Sequence, residues 1–244
     1  MKKILSSLVL FGAFTAPLTA SAFVLGPTTP GKWGSPTMGT GATITWSYMN
    51  SGTSCAAEGA GCTISSLASF MPVGFGTQIE AAFEAWAAVA NLTFVFVAAD
   101  NGVAFNAAGT NADIRIGGHA FDGALGTLAH GFYPPNNGDT AAGDIHFDTA
   151  EIWSLTQAGS GFDIFTVMAH ELGHALGLDH TNVAGSLMNP FYSESIVGPQ
   201  ADDIAGMQFI YGAAVTTNVP EPTTLALVGL ALMGLSLRRR GAAR

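Results

Sequence analysis

The stretch that decides the fold reads HELGHALGLDH and runs from His170 to His180. An α-helix turns once every 3.6 residues, so His170 and His174 lie on one face and can bind one metal ion. Gly177 can take a positive φ and end the helix, which lets His180 reach the same ion from outside it. Three nitrogen ligands with an open fourth position are typical of catalytic zinc. Glu171 is then the expected general base.

The alternative for this stretch is a core helix that happens to contain two histidines, because residues 162–176 are apolar enough to be buried. However, Glu171, Gly177 and His180 all stand where the longer H-E-x-x-H-x-x-G-x-x-H pattern requires them. Met188 and the residues after it resemble the methionine turn beneath the zinc of the metzincin clan. Zinc would lower the pKa of a bound water from about 15.7 to about 7, and Glu171 would take its proton.

The ends of the chain and its charge indicate an exported, acidic protein. Two lysines, an apolar run and the small residues Ala20-Ser21-Ala22 predict a signal peptide over residues 1–22. The remaining length suits one domain, residues 23–212, which contains two basic and sixteen acidic residues and has a net charge of −14. Such a domain cannot form the basic patch that a nucleic-acid partner needs.

Cys55 and Cys62 are the two cysteines of the chain and are separated by a short, glycine-containing segment. In an oxidising compartment this spacing predicts a loop disulfide, and two free thiols are the alternative.

Hydrophobic periodicity predicts an α+β domain with a mixed sheet. The predicted strands are residues 42–48, 92–97, 112–117, 128–133 and 144–147, and the predicted helices are residues 77–91, 162–176 and 199–211.

Several further segments resemble the matrixins, the metzincin family that includes the matrix metalloproteases. The likeness runs from about residue 32 to residue 212 and includes AFEAW at 82–86, ADIRI at 112–116, LAH at 128–130, DIHFD at 144–148 and DDI at 202–204. It implies a metzincin, or zincin-like, catalytic domain with a twisted, mostly parallel five-stranded sheet, three helices and a cleft that holds the catalytic zinc.

The resemblance also implies a structural zinc ion with His119, His130 and His146 as ligands. The family places an aspartate two residues after the first of these histidines, whereas Phe121 stands here and no fourth ligand is evident. Ordinary hydrogen-bonded histidines are the alternative.

Calcium is implied as well, because Asp122, Asp148 and Glu151 match acidic calcium ligands of the family, and hard oxygen ligands suit this ion. Asp144 is a candidate ligand of a second calcium site. Simple solvation of these acidic side chains is the alternative.

For the substrate, the resemblance implies an extended peptide that pairs with an edge strand at Leu128 and Ala129. The wall of the pocket beside the zinc is expected to include residues 190–192, with Pro190 and Tyr192 at its ends.

The end of the chain is similar to the PEP-CTERM sorting tails of Gram-negative bacteria. A linker is predicted over residues 213–218. Residues 219–244 contain a Val-Pro-Glu-Pro sequence, an apolar run and an arginine cluster. This tail implies a transmembrane segment, processing by sorting machinery, and delivery to the cell surface or extracellular matrix. A simple membrane anchor is the alternative.

Together these features predict an exported zinc-dependent endopeptidase that acts as a monomer on peptide bonds of extracellular proteins. The alternative from another class is a non-catalytic surface or biofilm-matrix protein stabilised by metal. A zinc hydrolase that cleaves a different bond is a third hypothesis.

Overall fold

The computed structural model describes residues 23–109, 111–135 and 141–215. The predicted signal peptide and sorting tail lie outside these residues, and the predicted linker lies inside them only as far as residue 215. The strands are β1 (Val24–Leu25), β2 (Ala42–Tyr48), β3 (Leu92–Phe96), β4 (Ile114–His119), β5 (Ala129–Gly131), β6 (Ile145–Asp148), β7 (Trp153–Ser154), β8 (Phe162–Asp163) and β9 (Leu178–Asp179), and the helices are α1 (Phe75–Ala87), α2 (Ile164–Ala175) and α3 (Ala201–Tyr211).

The main sheet has five strands in the order β3-β2-β4-β6-β5. The first four are parallel, and β5 runs antiparallel to β6 at one edge. Two short ribbons, β1 with β9 and β7 with β8, lie outside this sheet. The predicted α+β class, with three helices and a mixed five-stranded sheet, is confirmed.

The core lies between the sheet and helices α1 and α2. Ile44 and Trp46 of β2 pack with Phe83 and Trp86 of α1 in one buried cluster, and Trp46 stacks on Phe83 at a centroid distance of 4.5 Å. The indole nitrogen of Trp86 donates to the carbonyl of Ala169 at 2.9 Å, so α1 is fixed directly to α2. The helix that carries the metal-binding pattern is therefore held by both packing and a buried hydrogen bond.

Specific residues explain where α2 begins and where it ends. Asp163 caps the start by accepting a hydrogen bond from the Thr166 amide at 2.8 Å, which sets the first helical residue two positions after the predicted start. Beyond the end, Gly177 has φ of +111°, and a Cβ there would lie 2.3 Å from the carbonyl oxygen of Gly31. Only glycine fits this reversal, which leads the chain through β9 to the third histidine.

The two cationic side chains of residues 23–212 are both buried. Lys32 is 1% exposed and donates to the Trp33 carbonyl at 3.1 Å. Arg115 is fully buried and donates to both carboxylate oxygens of Asp144, at 3.2 and 2.6 Å. Burial raises the pKa of Asp144, and the guanidinium opposes that rise. Both oxygens of Asp144 accept from Arg115, and its place in a second calcium site stays a prediction.

Among residues 23–109, 111–135 and 141–215, no helix has the length and apolar character needed to cross a membrane. The predicted transmembrane segment of the tail lies outside these ranges.

Candidate functional site

Three histidines converge at the C-terminal half of α2. His170 and His174 lie on one face of the helix, and His180 follows β9. The Nε2 atom of His180 is 3.1 Å from Nε2 of His170 and 3.1 Å from Nε2 of His174. Tetrahedral zinc with nitrogen ligands at about 2.0–2.1 Å separates those ligands by about 3.3 Å, so the observed spacing suits this ion.

The hydrogen bonds at the Nδ1 atoms determine which nitrogen of each ring faces the centre of the cluster. Nδ1 of His170 is 2.7 Å from the carbonyl of Leu187, and Nδ1 of His174 is 2.8 Å from that of Leu178. A carbonyl only accepts, so each Nδ1 carries the proton and each Nε2 presents a lone pair. Burial lowers the pKa of His170 to about 4 and that of His174 to about 3, which keeps both rings neutral. The Nε2 lone pairs of His170 and His174 are therefore available to a metal ion at the centre of the cluster.

The third histidine is positioned by the residue before it. The carboxylate of Asp179 accepts a hydrogen bond from the backbone amide of His180 at 2.7 Å and another from the Tyr133 hydroxyl at 2.8 Å. The Tyr133 ring also meets the His174 ring edge to face at 5.7 Å. Tyr133 is 41 residues before His174 in the sequence, so no local pattern could have assigned it this role.

Glu171 lies beside the histidine cluster and lines the adjacent cleft. Its side chain is buried, and burial raises the pKa of Glu171 to about 8. A hydrogen bond from the backbone of Gly131 acts in the opposite direction and lowers this pKa. A carboxylate whose proton affinity is raised in this way is suited to accept a proton in one step and return it in another.

Met188 is 1% exposed and packs against α2 at Gly173. A Cβ at Gly173, between the two helical ligands, would lie 2.3 Å from the Met188 sulfur, so the methionine touches the helix backbone. The Met188 carbonyl accepts from the Thr181 amide at 3.0 Å, which joins the turn to the residue after His180. This is the place that the sequence predicted for a methionine turn.

Asp203 in the first turn of α3 anchors that turn. Its buried carboxylate accepts from the amides of Leu187 at 2.7 Å and Met188 at 3.1 Å, and from the Ser186 hydroxyl. The carbonyl of Leu187 in turn accepts from His170. Sequence reasoning placed Asp203 only in the closing helix and missed this anchoring role, because the contact spans 15 to 17 residues.

A cleft of about 530 Å³ opens beside the histidines. All four predicted substrate-binding residues line it, namely Leu128, Ala129, Pro190 and Tyr192. The hydroxyl of Tyr192 accepts from the amide of Asp163 at 3.1 Å, so this wall is tied to the start of α2. Its apolar lining also includes Phe162, Val167, Leu187 and Ile196.

Strand β5 forms the opposite side of the cleft and is an edge strand of the sheet. The carbonyl of Leu128 accepts from the amide of Asp148 in β6 at 2.8 Å. The amide of Phe132 donates to the carbonyl of Asp144, the residue before β6, at 2.9 Å. Because backbone groups alternate along a strand, the polar groups of Ala129 face outward. This edge has the geometry for pairing with an extended peptide.

A second cluster brings His119, His130 and His146 together with Glu58, a residue that the sequence analysis did not identify. One carboxylate oxygen of Glu58 is 2.7 Å from Nε2 of His119 and 3.0 Å from Nε2 of His130, and the other is 2.6 Å from Nδ1 of His146. Burial acts to raise the pKa of Glu58, but the three imidazoles hold it far below its usual range. The sequence feature that could have identified Glu58 was its position between the two cysteines, which form the predicted disulfide.

The three predicted calcium ligands surround one loop without converging. Asp122 accepts from the amide and hydroxyl of Thr127, and Glu151 accepts from the amide of Leu125. Asp148 accepts two amide hydrogen bonds on one oxygen, while its other oxygen is buried and has no hydrogen-bond partner. Within the described residues, these carboxylates are not among the groups whose ligand atoms lie within 4.8 Å of one another.

Comparison with known families identifies the domain. Residues 67–212, more than half of the chain, match the family model described as Matrixin. The chain belongs to the matrixin family. The matched segment contains all six histidines and Glu171, whereas Glu58 and the disulfide precede it. Residues 218–240 match the PEP-CTERM protein-sorting motif, which indicates export sorting.

Individual curated proteins are similar to part of this chain. Karilysin of Tannerella forsythia is 39% identical over 151 residues, which are 59% of this chain and 30% of the relative. Stromelysin-2 of Rattus norvegicus is 42% identical over 157 residues, 60% of this chain and 31% of the relative. Matrix metalloproteinase-25 of Homo sapiens is 42% identical over 111 residues, 43% of this chain and 19% of the relative. The chain therefore spans less than a third of the length of each of these curated relatives.

Proposed function

We propose that this matrixin is an exported zinc-dependent endopeptidase that hydrolyses peptide bonds of extracellular proteins. The observation that carries this proposal is the convergence of three histidine Nε2 atoms beside a buried glutamate at the wall of a peptide-sized cleft. A purely structural zinc site needs four protein ligands and no base. The metal would be held by His170, His174 and His180.

The convergence of the three Nε2 atoms and the Nδ1 hydrogen bonds of His170 and His174 fit zinc at this site. When bound, zinc supplies Lewis acidity that lowers the pKa of a water molecule and polarises the substrate carbonyl. Glu171 is the base that accepts the proton from that water and then delivers it to the nitrogen of the leaving amine. Its position beside the first ligand, at the cleft, supports both transfers.

The substrate would lie as an extended strand along β5. The outward backbone groups at Ala129 hold its main chain and leave the choice of sequence to side-chain pockets. Next to the zinc ligands, the apolar wall formed by Val167, Leu187 and Tyr192 favours an apolar side chain in the adjoining pocket.

The domain arrangement is part of the same proposal. Residues 1–22 direct export, residues 23–212 form the protease domain, residues 213–218 link it to the tail, and residues 219–244 are the sorting tail. The tail inserts transiently into the inner membrane of a Gram-negative bacterium and is processed by sorting machinery, which supports delivery of a monomeric protease to the cell surface. The match to the sorting motif supports this route.

Two further kinds of metal site accompany the catalytic centre in this proposal. His119, His130 and His146 would bind a second, structural zinc ion, and Asp122, Asp148 and Glu151 would bind calcium after their carboxylates move together around the loop. The partnerless buried oxygen of Asp148 supports the calcium site, because a cation would neutralise it.

Calcium is therefore expected to raise the melting temperature of the full-length protein. Replacing Asp148 with asparagine should remove most of that increase, because the variant loses the buried charge that faces the loop. Thermal unfolding with and without millimolar calcium measures both effects. Glu80→Asn, on the exposed side of α1, is the control and should keep the full increase. An equal calcium response in both variants would remove Asp148 from the site.

The experiment that tests the proposed function is incubation of the purified, zinc-loaded protein with casein, gelatin and a broad peptide library. Mass spectrometry of the products should identify cleaved peptide bonds, and a chelator should abolish cleavage. If nothing is cleaved across the library, the non-catalytic surface-protein hypothesis is favoured. Products of any other bond cleavage would favour the third hypothesis, a zinc hydrolase of a different class.

A further inference from the structure

The loop between Cys55 and Cys62 has a defined conformation. Besides the disulfide, the amide of Cys55 donates to the carbonyl of Cys62 at 3.1 Å, and the amide of Glu58 donates to the carbonyl of Cys55 at 2.9 Å. The Cys62 amide donates to Gly59 at 2.9 Å, which closes a second turn. These bonds fix the backbone on both sides of Glu58.

The base of this loop is attached next to the second histidine cluster. The amide of Ile64 donates to the carbonyl of Thr53 at 2.8 Å, which pairs the two arms of the hairpin. Ser65 then exchanges two backbone hydrogen bonds with Gly118 of β4, at 2.7 and 3.2 Å. Because Gly118 precedes His119, the hairpin is held against the strand that presents this histidine, and Glu58 projects from the hairpin toward it.

The four side chains form a compact set of ligand atoms. The contacts of Glu58 with the three rings are 2.6 to 3.0 Å, and Nε2 of His130 is 3.4 Å from Nδ1 of His146. Tetrahedral zinc with N and O ligands needs separations of about 3.3 Å, and each of these four distances differs from that value by about 0.7 Å or less.

The hydrogen bond at Nδ1 determines which nitrogen of His119 faces Glu58. Nδ1 of His119 is 3.0 Å from the carbonyl of Ala120 and therefore carries the proton. The Nε2 atom faces the carboxylate of Glu58, 2.7 Å away, and is therefore the nitrogen that a metal ion shared with Glu58 would bind. Zinc bound between these atoms would take the place of the hydrogen bond that joins the ring to the carboxylate.

We propose that Glu58 is the fourth ligand of the second zinc ion, and that closure of the disulfide loop sets the affinity of this site for zinc. The inference rests on the second zinc site proposed above. It places a ligand outside the segment that matches the family model, 61 residues before His119 in the sequence. The carboxylate thereby takes the place of the acidic ligand that is absent at Phe121.

The disulfide matters because water competes for the backbone hydrogen bonds of an exposed loop, whereas the covalent bond keeps the loop closed. Residues 56, 57 and 59–61 are exposed, and two of them are glycines. Opening the ring would let these residues sample many conformations, and binding zinc through Glu58 would then require ordering them again. Metal loading of this site is thus coupled to oxidation of the cysteines, which takes place after export.

The test compares zinc binding by the full-length oxidised protein, Glu58→Gln, the double variant Cys55→Ala/Cys62→Ala, and the control Glu84→Gln on the exposed side of α1. Zinc content is measured after dialysis against graded concentrations of a chelator. We expect two zinc ions in the parent protein and the control. The affinity of the second should fall by about 100-fold or more in Glu58→Gln and by about tenfold in the double variant.

Retention of the first zinc ion and thermal unfolding in excess zinc show whether each variant is folded. Unchanged second-site affinity in Glu58→Gln would overturn the ligand assignment. Unchanged affinity in the double variant would overturn the role of the disulfide. A parent protein that binds one zinc ion and cleaves peptides would refute the second site while leaving the proposed protease activity intact.

Discussion

Replacing Glu171 with glutamine is expected to lower kcat for peptide hydrolysis by about 10³-fold without loss of zinc. Glutamine keeps the size of the side chain but cannot accept the proton from water. The three Nε2 atoms belong to other residues, and the bonds from two of the rings to Leu187 and Leu178 do not involve Glu171. Cleavage of a quenched fluorescent peptide and the zinc content of the same preparation measure the two quantities.

Glu84→Gln is the matched control, because it makes the same chemical change on the exposed side of α1. Its kcat should equal that of the parent protein. A Glu171→Gln variant that kept the parental rate would refute the assignment of the base and remove the main argument for catalysis.

The second large effect is expected from Asp203→Asn, which should lower the free energy of unfolding by about 2–5 kcal/mol. The parent carboxylate accepts four hydrogen bonds, from Ser186, Leu187, Met188 and the Gln200 amide. The amide group of asparagine directs two hydrogens at these donors, so buried groups are left unsatisfied. Chemical denaturation of the zinc-loaded protein measures the loss.

The same substitution should also weaken the catalytic zinc, since the turn that Asp203 anchors supplies the carbonyl that orients His170. Glu194→Gln, at an exposed position near the cleft, removes an equal charge and serves as the control. Equal unfolding free energies for the two variants would show that the buried hydrogen bonds of Asp203 contribute nothing to stability.

Local patterns in the sequence predicted much of the fold because they depend on near neighbours. Alternation of Ile44 and Trp46 gave the bounds of β2 correctly, and helical spacing brought His170 and His174 to one face. Strand β4 begins two residues later than predicted because the Asp113 carboxylate accepts from the backbone and hydroxyl of Thr45, at 2.8 and 2.7 Å. This side chain replaces a strand hydrogen bond, which a hydrophobic pattern cannot register.

The contacts that sequence reasoning missed all join distant parts of the chain. Glu58 meets histidines from three strands, Asp203 reaches back to the methionine turn, and Tyr133 bonds to Asp179. Each depends on how packed elements face one another, and none leaves a periodic or spacing signal near the residue concerned. Sets of residues with a fixed spacing in the sequence could therefore be predicted, whereas the distant residues that position them could not.

The burial of Lys32 and Arg115 has a consequence for the surroundings of this protein. Residues 23–212 contain no other lysine or arginine, so the outer surface of this domain presents carboxylates without fixed cations to balance them. The resulting negative potential repels anionic lipid headgroups and acidic polysaccharides, and it draws basic peptides inward at low ionic strength. Electrostatic repulsion therefore disfavours adhesion of this domain to an acidic matrix.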